Sequence, residues 1–129
     1  MEFLTGLEET VESKTVKEKM ADIPLMSELN HFRMLKGIVF GEGIVLSIQA
    51  SYGHYCAPRE TTDLDDYSAM EFGVLQNSEF VTVTKLLPEF KRLKEIEDYE
   101  STVYGYVPVD LIEELYQELK KTYGLGESK

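Results

Sequence analysis

Cysteine is scarce in this chain: its 129 residues include a single one, Cys56. A lone cysteine cannot form an internal disulfide, so the sequence predicts a protein of a reducing compartment, the cytoplasm. One cysteine and the two histidines, His31 and His54, also fall short of a closed zinc site unless carboxylates complete it. We therefore predict no metal site and no cofactor.

Long apolar runs and basic residues are scarce as well. No apolar run approaches the length of a membrane span, and the start of the sequence, MEFLT, lacks the basic region and apolar core of a signal peptide. The 13 basic and 24 acidic residues give a formal net charge of −11. This balance disfavours direct binding to nucleic acid or to an anionic membrane, and it leaves room for a basic protein partner. Acidity that only keeps the protein soluble is the alternative explanation.

The length and the hydrophobic content of 43% suit one soluble domain with a real core. We predict a single domain over residues 1–129. Within it, residues 1–24 form a helical arm that is either loosely attached or helical only on a partner. Thr5 and Glu8 have the spacing of a capping box in this arm.

Alternating apolar and polar residues predict an antiparallel sheet of about four to five strands. In the second strand, Ile44, Leu46 and Ile48 are expected to face the core. The glycines of residues 41–43 predict a hairpin turn before it. The predicted strands are residues 31–40, 44–50, 67–75, 79–86 and 102–107.

Helical periodicity follows in two places. Residues 89–100 predict an amphipathic helix with Phe90 and Leu93 on one face. The C-terminal helix should have Pro108 at its first position and end before Gly124, with an apolar stripe packed on the sheet. The stripe consists of Leu111, Ile112, Leu115, Tyr116, Leu119 and Tyr123. The predicted fold class is α+β, a single domain whose antiparallel sheet packs against the C-terminal helix, with an additional N-terminal helix.

Reactive and aromatic residue types concentrate in residues 52–60, YGHYCAPRE, between two predicted strands. Tyrosine rings stack on bases or on partner side chains, and the arginine guanidinium binds a carboxylate or phosphate through two parallel hydrogen bonds. The competing interpretation pairs Arg59 with Glu60 or Asp65 and makes the loop purely structural. The candidate residues for binding a partner or ligand are Tyr52, His54, Tyr55, Arg59, Glu60, Asp63, Asp65, Asp66 and Tyr67.

Nucleophilic catalysis by His54 and Cys56 is an open alternative. A catalytic thiolate needs an activating base within hydrogen-bond reach and a lowered pKa. The local sequence offers no helix N-terminus to stabilise a thiolate, and a free cysteine is commonly a small buried hydrophobe. The acidic run at residues 63–66 lacks the glycine and the distal glutamate of a calcium loop. We assign no catalytic residue and no metal ligand.

Four blocks resemble a family of small, mostly uncharacterised bacteriophage and prophage proteins. They are LSIQAS at 46–51, HYCAPRE at 54–60, YSAMEFG at 67–73 and VYGYVPV at 103–109. The resemblance implies a phage context, in which small acidic proteins often bind host nucleases or polymerases. It suggests a non-enzymatic protein that binds and inhibits a host protein, such as a defence factor of the kind that anti-CRISPR or anti-restriction proteins block.

The alternative function is a small-ligand binder, such as a sponge for a nucleotide signal. It would use the Tyr52–Glu60 loop, with a homo-oligomer interface as an open possibility for completing the pocket.

Overall fold

Helices flank a single sheet in a computed structural model of the chain, which describes residues 2–20 (residues 16–20 by backbone alone), 33–51, 54–96 and 103–126. Within these residues, no helix is both long and apolar enough to cross a lipid bilayer. The helices are α1 (Glu2–Thr5), α2 (Val11–Met20), α3 (Val83–Leu86), α4 (Leu93–Ile96) and α5 (Val109–Tyr123). The strands are β1 (Ile38–Val39), β2 (Ile44–Gln49), β3 (Ala69–Gln76), β4 (Glu79–Val81) and β5 (Val103–Pro108).

The five strands form one antiparallel sheet centred on β3. One edge of β3 pairs with β2, and the other edge pairs with β5 and then with β4, while β1 continues the sheet beyond β2. The turn from β3 to β4 has positive φ angles at Asn77 and Ser78, as a tight two-residue hairpin requires. The predicted α+β fold is therefore confirmed.

The core lies between the sheet and α5. The predicted apolar stripe of α5 is buried from Leu111 to Leu119, and Tyr123 is partly buried. Alternation in β2 places Ile44, Leu46 and Ile48 in the core, as predicted. Met70, Phe72 and Val74 of β3 extend the same buried layer.

The first helix is held against α5. Glu113 on α5 accepts hydrogen bonds from the N–H groups of Glu2 (2.7 Å) and Phe3 (3.3 Å), and Lys120 donates to the Glu2 carboxylate at 2.7 Å. Phe3 is fully buried in the core. The predicted capping box does not form, because Thr5 is the last residue of α1 and residues 6–10 are not helical; its hydroxyl donates to the carbonyl of Glu2 instead.

The predicted strand 79–86 is wrong beyond Val81. The Thr82 hydroxyl accepts a hydrogen bond from the Lys85 N–H at 3.2 Å and starts α3, so a side-chain cap prevails over the alternating pattern. The predicted helix 89–100 is helical at Leu93–Ile96, and residues 97–100 lie outside the described residues.

Two other boundaries differ from the prediction. The predicted strand 31–40 forms a ladder at Ile38–Val39, and residues 31–32 lie outside the described residues. Pro108 ends β5 and directly precedes α5, so it lies one residue before the predicted first helical position.

Candidate functional site

Residues 54–67, here called the site loop, follow β2 and run alongside β3 and β5. Ala57 forms an isolated antiparallel bridge with Ala69. The carbonyl of Tyr55 accepts a hydrogen bond from the N–H of Tyr106 at 2.8 Å. These backbone bonds fix the start of the site loop to two strands of the sheet.

Arg33 and Tyr67 hold the second half of the site loop from within. The Arg33 guanidinium donates to the carbonyl of Ala50 through Nε (3.2 Å) and Nη2 (2.6 Å), and to that of Thr62 through Nη1 (3.0 Å). The Tyr67 hydroxyl accepts from Arg33 Nη2 and from the Thr62 N–H, each at 3.1 Å, and donates to the carbonyl of Glu60 at 2.5 Å. Tyr67 is therefore a buried support of the loop.

His54 and Cys56 lie inside the loop. The Cys56 side chain is 1% exposed, and its thiol donates to the carbonyls of Ser51 (3.2 Å) and Pro58 (3.4 Å). The Nδ1 atom of His54 lies 2.7 Å from the Ser51 hydroxyl oxygen. Burial raises the pKa of the Cys56 thiol, and burial together with the nearby charge of Arg33 lowers the pKa of His54. Both shifts favour the uncharged forms.

Tyr55, Arg59 and Tyr106 form an exposed cluster, here called the tyrosine platform. The two tyrosine residues are 51% and 50% exposed, and their ring centroids lie 5.8 Å apart at an interplanar angle of 44°. The Cζ atom of Arg59 lies 5.0 Å from the centroid of the Tyr55 ring. The platform thus presents two adjacent aromatic rings and a guanidinium to solvent.

An irregularity in β5 places Tyr106 on the platform. Met70 pairs with Val107 and Phe72 with Tyr104, so two residues of β5 lie opposite Glu71 alone. Tyr106 has φ +54°, a left-handed conformation that is unfavourable for a bulky side chain.

Gly105 lets the site loop approach β5 closely. A Cβ atom at Gly105 would lie 2.8 Å from the Cβ atom of Tyr55, which is too close for any residue but glycine. Glycine at this position therefore permits the close approach of the two segments. The approach brings the rings of Tyr55 and Tyr106 side by side.

Glu71 on β3 lies beside the platform, with an intermediate exposure. Burial raises the pKa of its carboxyl, and a hydrogen bond with the Tyr55 backbone and the charge of Arg59 oppose that shift. The charged form of a partly desolvated carboxylate is stabilised by a nearby basic group, and a further positive charge would stabilise it more. Glu71 therefore adds a negative group to the aromatic surface.

The remaining predicted residues are distributed over the loop. Asp63, Asp65 and Asp66 are exposed around a short 3-10 turn, Leu64–Asp66, where the Thr62 hydroxyl donates to Asp66 at 3.0 Å. In the part of the chain that the structure describes, no group of three acidic, histidine or cysteine side chains could hold a metal ion. Glu60 is exposed, and Tyr52 lies outside the described residues.

Comparison of the chain with protein-family models, with curated proteins and with solved structures finds no match. The resemblance to phage proteins therefore stays a prediction, and the site is judged on its geometry.

The structure brings together two residues of the predicted site, Tyr55 and Arg59, and adds Tyr106 and Glu71 to them. The site predicted from the sequence included neither Tyr106 nor Glu71. The two tyrosines that flank Gly105 were the available signal, since a glycine between aromatic residues in a strand is typical of a bulge or of a close backbone approach.

Proposed function

We propose that the chain is a non-enzymatic binding domain that attaches to a basic surface of a partner protein. The observation that carries this proposal is the tyrosine platform. Two half-exposed tyrosines lie side by side on backbone that is bonded to the sheet. Rigid tyrosine and arginine side chains are enriched among the residues that dominate the energy of protein interfaces.

The charge of the chain supports a basic partner. The net charge is −11, and the site loop itself carries four acidic residues, Glu60, Asp63, Asp65 and Asp66, all of them exposed. Such a field speeds the encounter with a basic surface and disfavours acidic partners. The attraction is screened by salt, so binding should weaken as the ionic strength rises.

The context of the proposal comes from the resemblance to phage proteins. In that context the partner is a host protein in the host cytoplasm, such as a nuclease of a defence system. An acidic protein on its nucleic-acid groove would inhibit it by occupying the place of the phosphate backbone.

The environment of Cys56 supports a role without catalysis. Its thiol is buried and bonded to backbone carbonyls, and its raised pKa keeps it protonated near neutral pH. We propose that Cys56 and His54 shape the loop from inside.

The test is a pull-down from host lysate at low and at high salt, followed by mass spectrometry. The wild type is compared with a Tyr55→Ala/Tyr106→Ala double variant and with Phe80→Ala, which removes an equally exposed aromatic side chain from β4. We expect a basic protein that the wild type and Phe80→Ala retain at low salt, and that the double variant loses. Retention that is equal in all three proteins, or insensitive to salt, would contradict the proposal.

Arg59 favours a second candidate function, the binding of a small anion such as a nucleotide. Its guanidinium makes no hydrogen bond or ion pair with the described residues and stacks on Tyr55. A nucleotide could stack on the platform and pair its phosphate with this guanidinium. Release of a compound with nucleotide absorbance on denaturation, with its loss in Arg59→Ala, would replace the first function by this one.

A further inference from the structure

We propose that the tyrosine platform is a receptor for an arginine side chain of the partner, and that Arg59 occupies this receptor in the free protein. This inference rests on the proposed function, since it assigns the chemistry by which a basic partner is recognised. On this inference, the Arg59 guanidinium occupies in the free protein the place that the partner's guanidinium takes in the complex.

The three arginines of the chain differ in how they are held. Arg33 donates hydrogen bonds to two backbone carbonyls and to Tyr67. Arg92 is bonded to three carboxylates, those of Glu95, Asp110 and Glu114. The exposed Arg59 has no hydrogen bond or ion pair with the described residues, and what positions it is the ring of Tyr55. An exposed guanidinium that is held by an aromatic face without a hydrogen bond is easily displaced.

The platform suits a guanidinium in particular. Tyr55 already carries one at 5.0 Å, and the adjacent ring of Tyr106 offers a second aromatic surface of similar exposure. Guanidinium groups stack on aromatic rings more readily than ammonium groups do, because they are planar and weakly hydrated. The carboxylate of Glu71, which interacts electrostatically with Arg59, would attract the incoming cation in the same way.

The surrounding charge selects a cation over an anion. The exposed acids of the site loop outnumber its single basic residue, Arg59, and the whole chain is strongly negative. An incoming arginine would meet like charge from Arg59 and opposite charge from the acidic residues. Binding therefore requires Arg59 to leave the ring of Tyr55, and its departure opens the receptor.

The test uses a short Gly–Arg repeat peptide as the probe. A Gly–citrulline peptide of equal length is the uncharged control. The affinity of each is measured by NMR titration for the wild type, Arg59→Ala and Lys85→Ala. Lys85→Ala removes the same charge from an exposed side chain of α3, so it reports the general effect of one positive charge less.

We expect Arg59→Ala to bind the arginine peptide about two- to fivefold more tightly than Lys85→Ala does, since an exposed cation–π contact no longer competes. The shifts should centre on Tyr106 and on the residues around Tyr55. The citrulline peptide should bind none of the proteins. Glu71→Gln should weaken the binding of the arginine peptide.

Other results would overturn the inference. If Arg59→Ala binds the arginine peptide more weakly than Lys85→Ala does, Arg59 contacts the ligand directly. If the two variants bind it equally, Arg59 does not occupy the binding site in the free protein. If no variant binds the arginine peptide, the platform is not a receptor for arginine. If the double variant of Tyr55 and Tyr106 nevertheless loses a basic protein in the lysate experiment, the proposed function holds and only the role of Arg59 is rejected. If that retention is independent of the platform, both fall.

Discussion

At Tyr67, one hydroxyl oxygen takes part in three hydrogen bonds that close the site loop, with Arg33, Thr62 and Glu60. Tyr67→Phe removes all three while keeping the ring. It leaves partly buried N–H groups of Arg33 and Thr62 without this acceptor and the carbonyl of Glu60 without this donor. We expect the free energy of unfolding to fall by about 1–3 kcal/mol, as measured by denaturant titration. The control is Tyr55→Phe, whose hydroxyl makes no hydrogen bond with the described residues and should cost less than about 0.5 kcal/mol. Equal losses would contradict the supporting role of Tyr67.

Replacement by glycine should destabilise the protein less at Tyr106 than at Tyr104, which lies two residues earlier on β5. Its φ of +54° costs a side chain about 1–2 kcal/mol, which glycine relieves at the expense of the ring contact with Tyr55. We expect Tyr106→Gly to change the free energy of unfolding by less than about 1 kcal/mol, because relief of strain and lost packing oppose each other. Tyr104→Gly, which removes a buried ring stacked on Phe72, should cost more than about 3 kcal/mol. A similar loss at both positions would show that Tyr106 stores no backbone strain.

At the scale of elements, α1 depends on α5 for its N-terminal hydrogen bonds. Glu113→Ala removes the carboxylate that accepts from Glu2 and Phe3. We expect a loss of about 0.5–2 kcal/mol, the range of a helix cap, together with faster amide hydrogen exchange in residues 2–5. Glu118→Ala on the same helix is the control and should leave that exchange unchanged. Equal exchange in the two variants would show that the burial of Phe3 and the ion pair between Glu2 and Lys120 anchor the helix without Glu113.

The long elements were predictable from the sequence because many residues repeat one pattern. Alternation in β2 and the apolar stripe of α5 both correspond to buried residues. Shorter elements were not predictable, since a single side chain decides them. Thr82 ends the β4 pattern with a helix cap, and the alternating residues after it could not reveal this.

The sequence directed the prediction of a candidate site to the site loop, and that prediction did not include Tyr106 on β5. The rare residue types of the loop include Tyr55 and Arg59, whose side chains the structure places in contact. Tyr106 joins them because the register between β3 and β5 shifts opposite Glu71. Such a shift arises from the pairing of two distant strands. The local sequence marks it only by Gly105 between two tyrosines and does not show that Tyr106 lies beside Tyr55.

For the molecule as a whole, burial of His54 within the site loop should make stability depend on pH. Burial and the charge of Arg33 lower the pKa of His54 in the folded state. An unfolded chain, with a histidine pKa of about 6.5, then takes up a proton more readily than the folded one. Stability contributed by neutral His54 is thus present above about pH 6.5 and is lost as the pH falls below it.

Glu71 affects stability with the opposite dependence on pH, and it does so in a separate, more acidic pH range. Its pKa is raised in the folded state, so its contribution favours folding at low pH and is lost as the pH rises above the ordinary carboxyl value. A comparison of the wild type with His54→Gln isolates the histidine from Glu71 and from the other carboxyl groups, which both proteins share. We expect denaturant titrations to show that the wild type loses stability relative to His54→Gln as the pH is lowered through 6.5 toward 5.5, about the range in which a free histidine titrates. An imidazole NMR titration that places the pKa of His54 at or above its ordinary value would contradict this, and so would parallel stability curves for the two proteins.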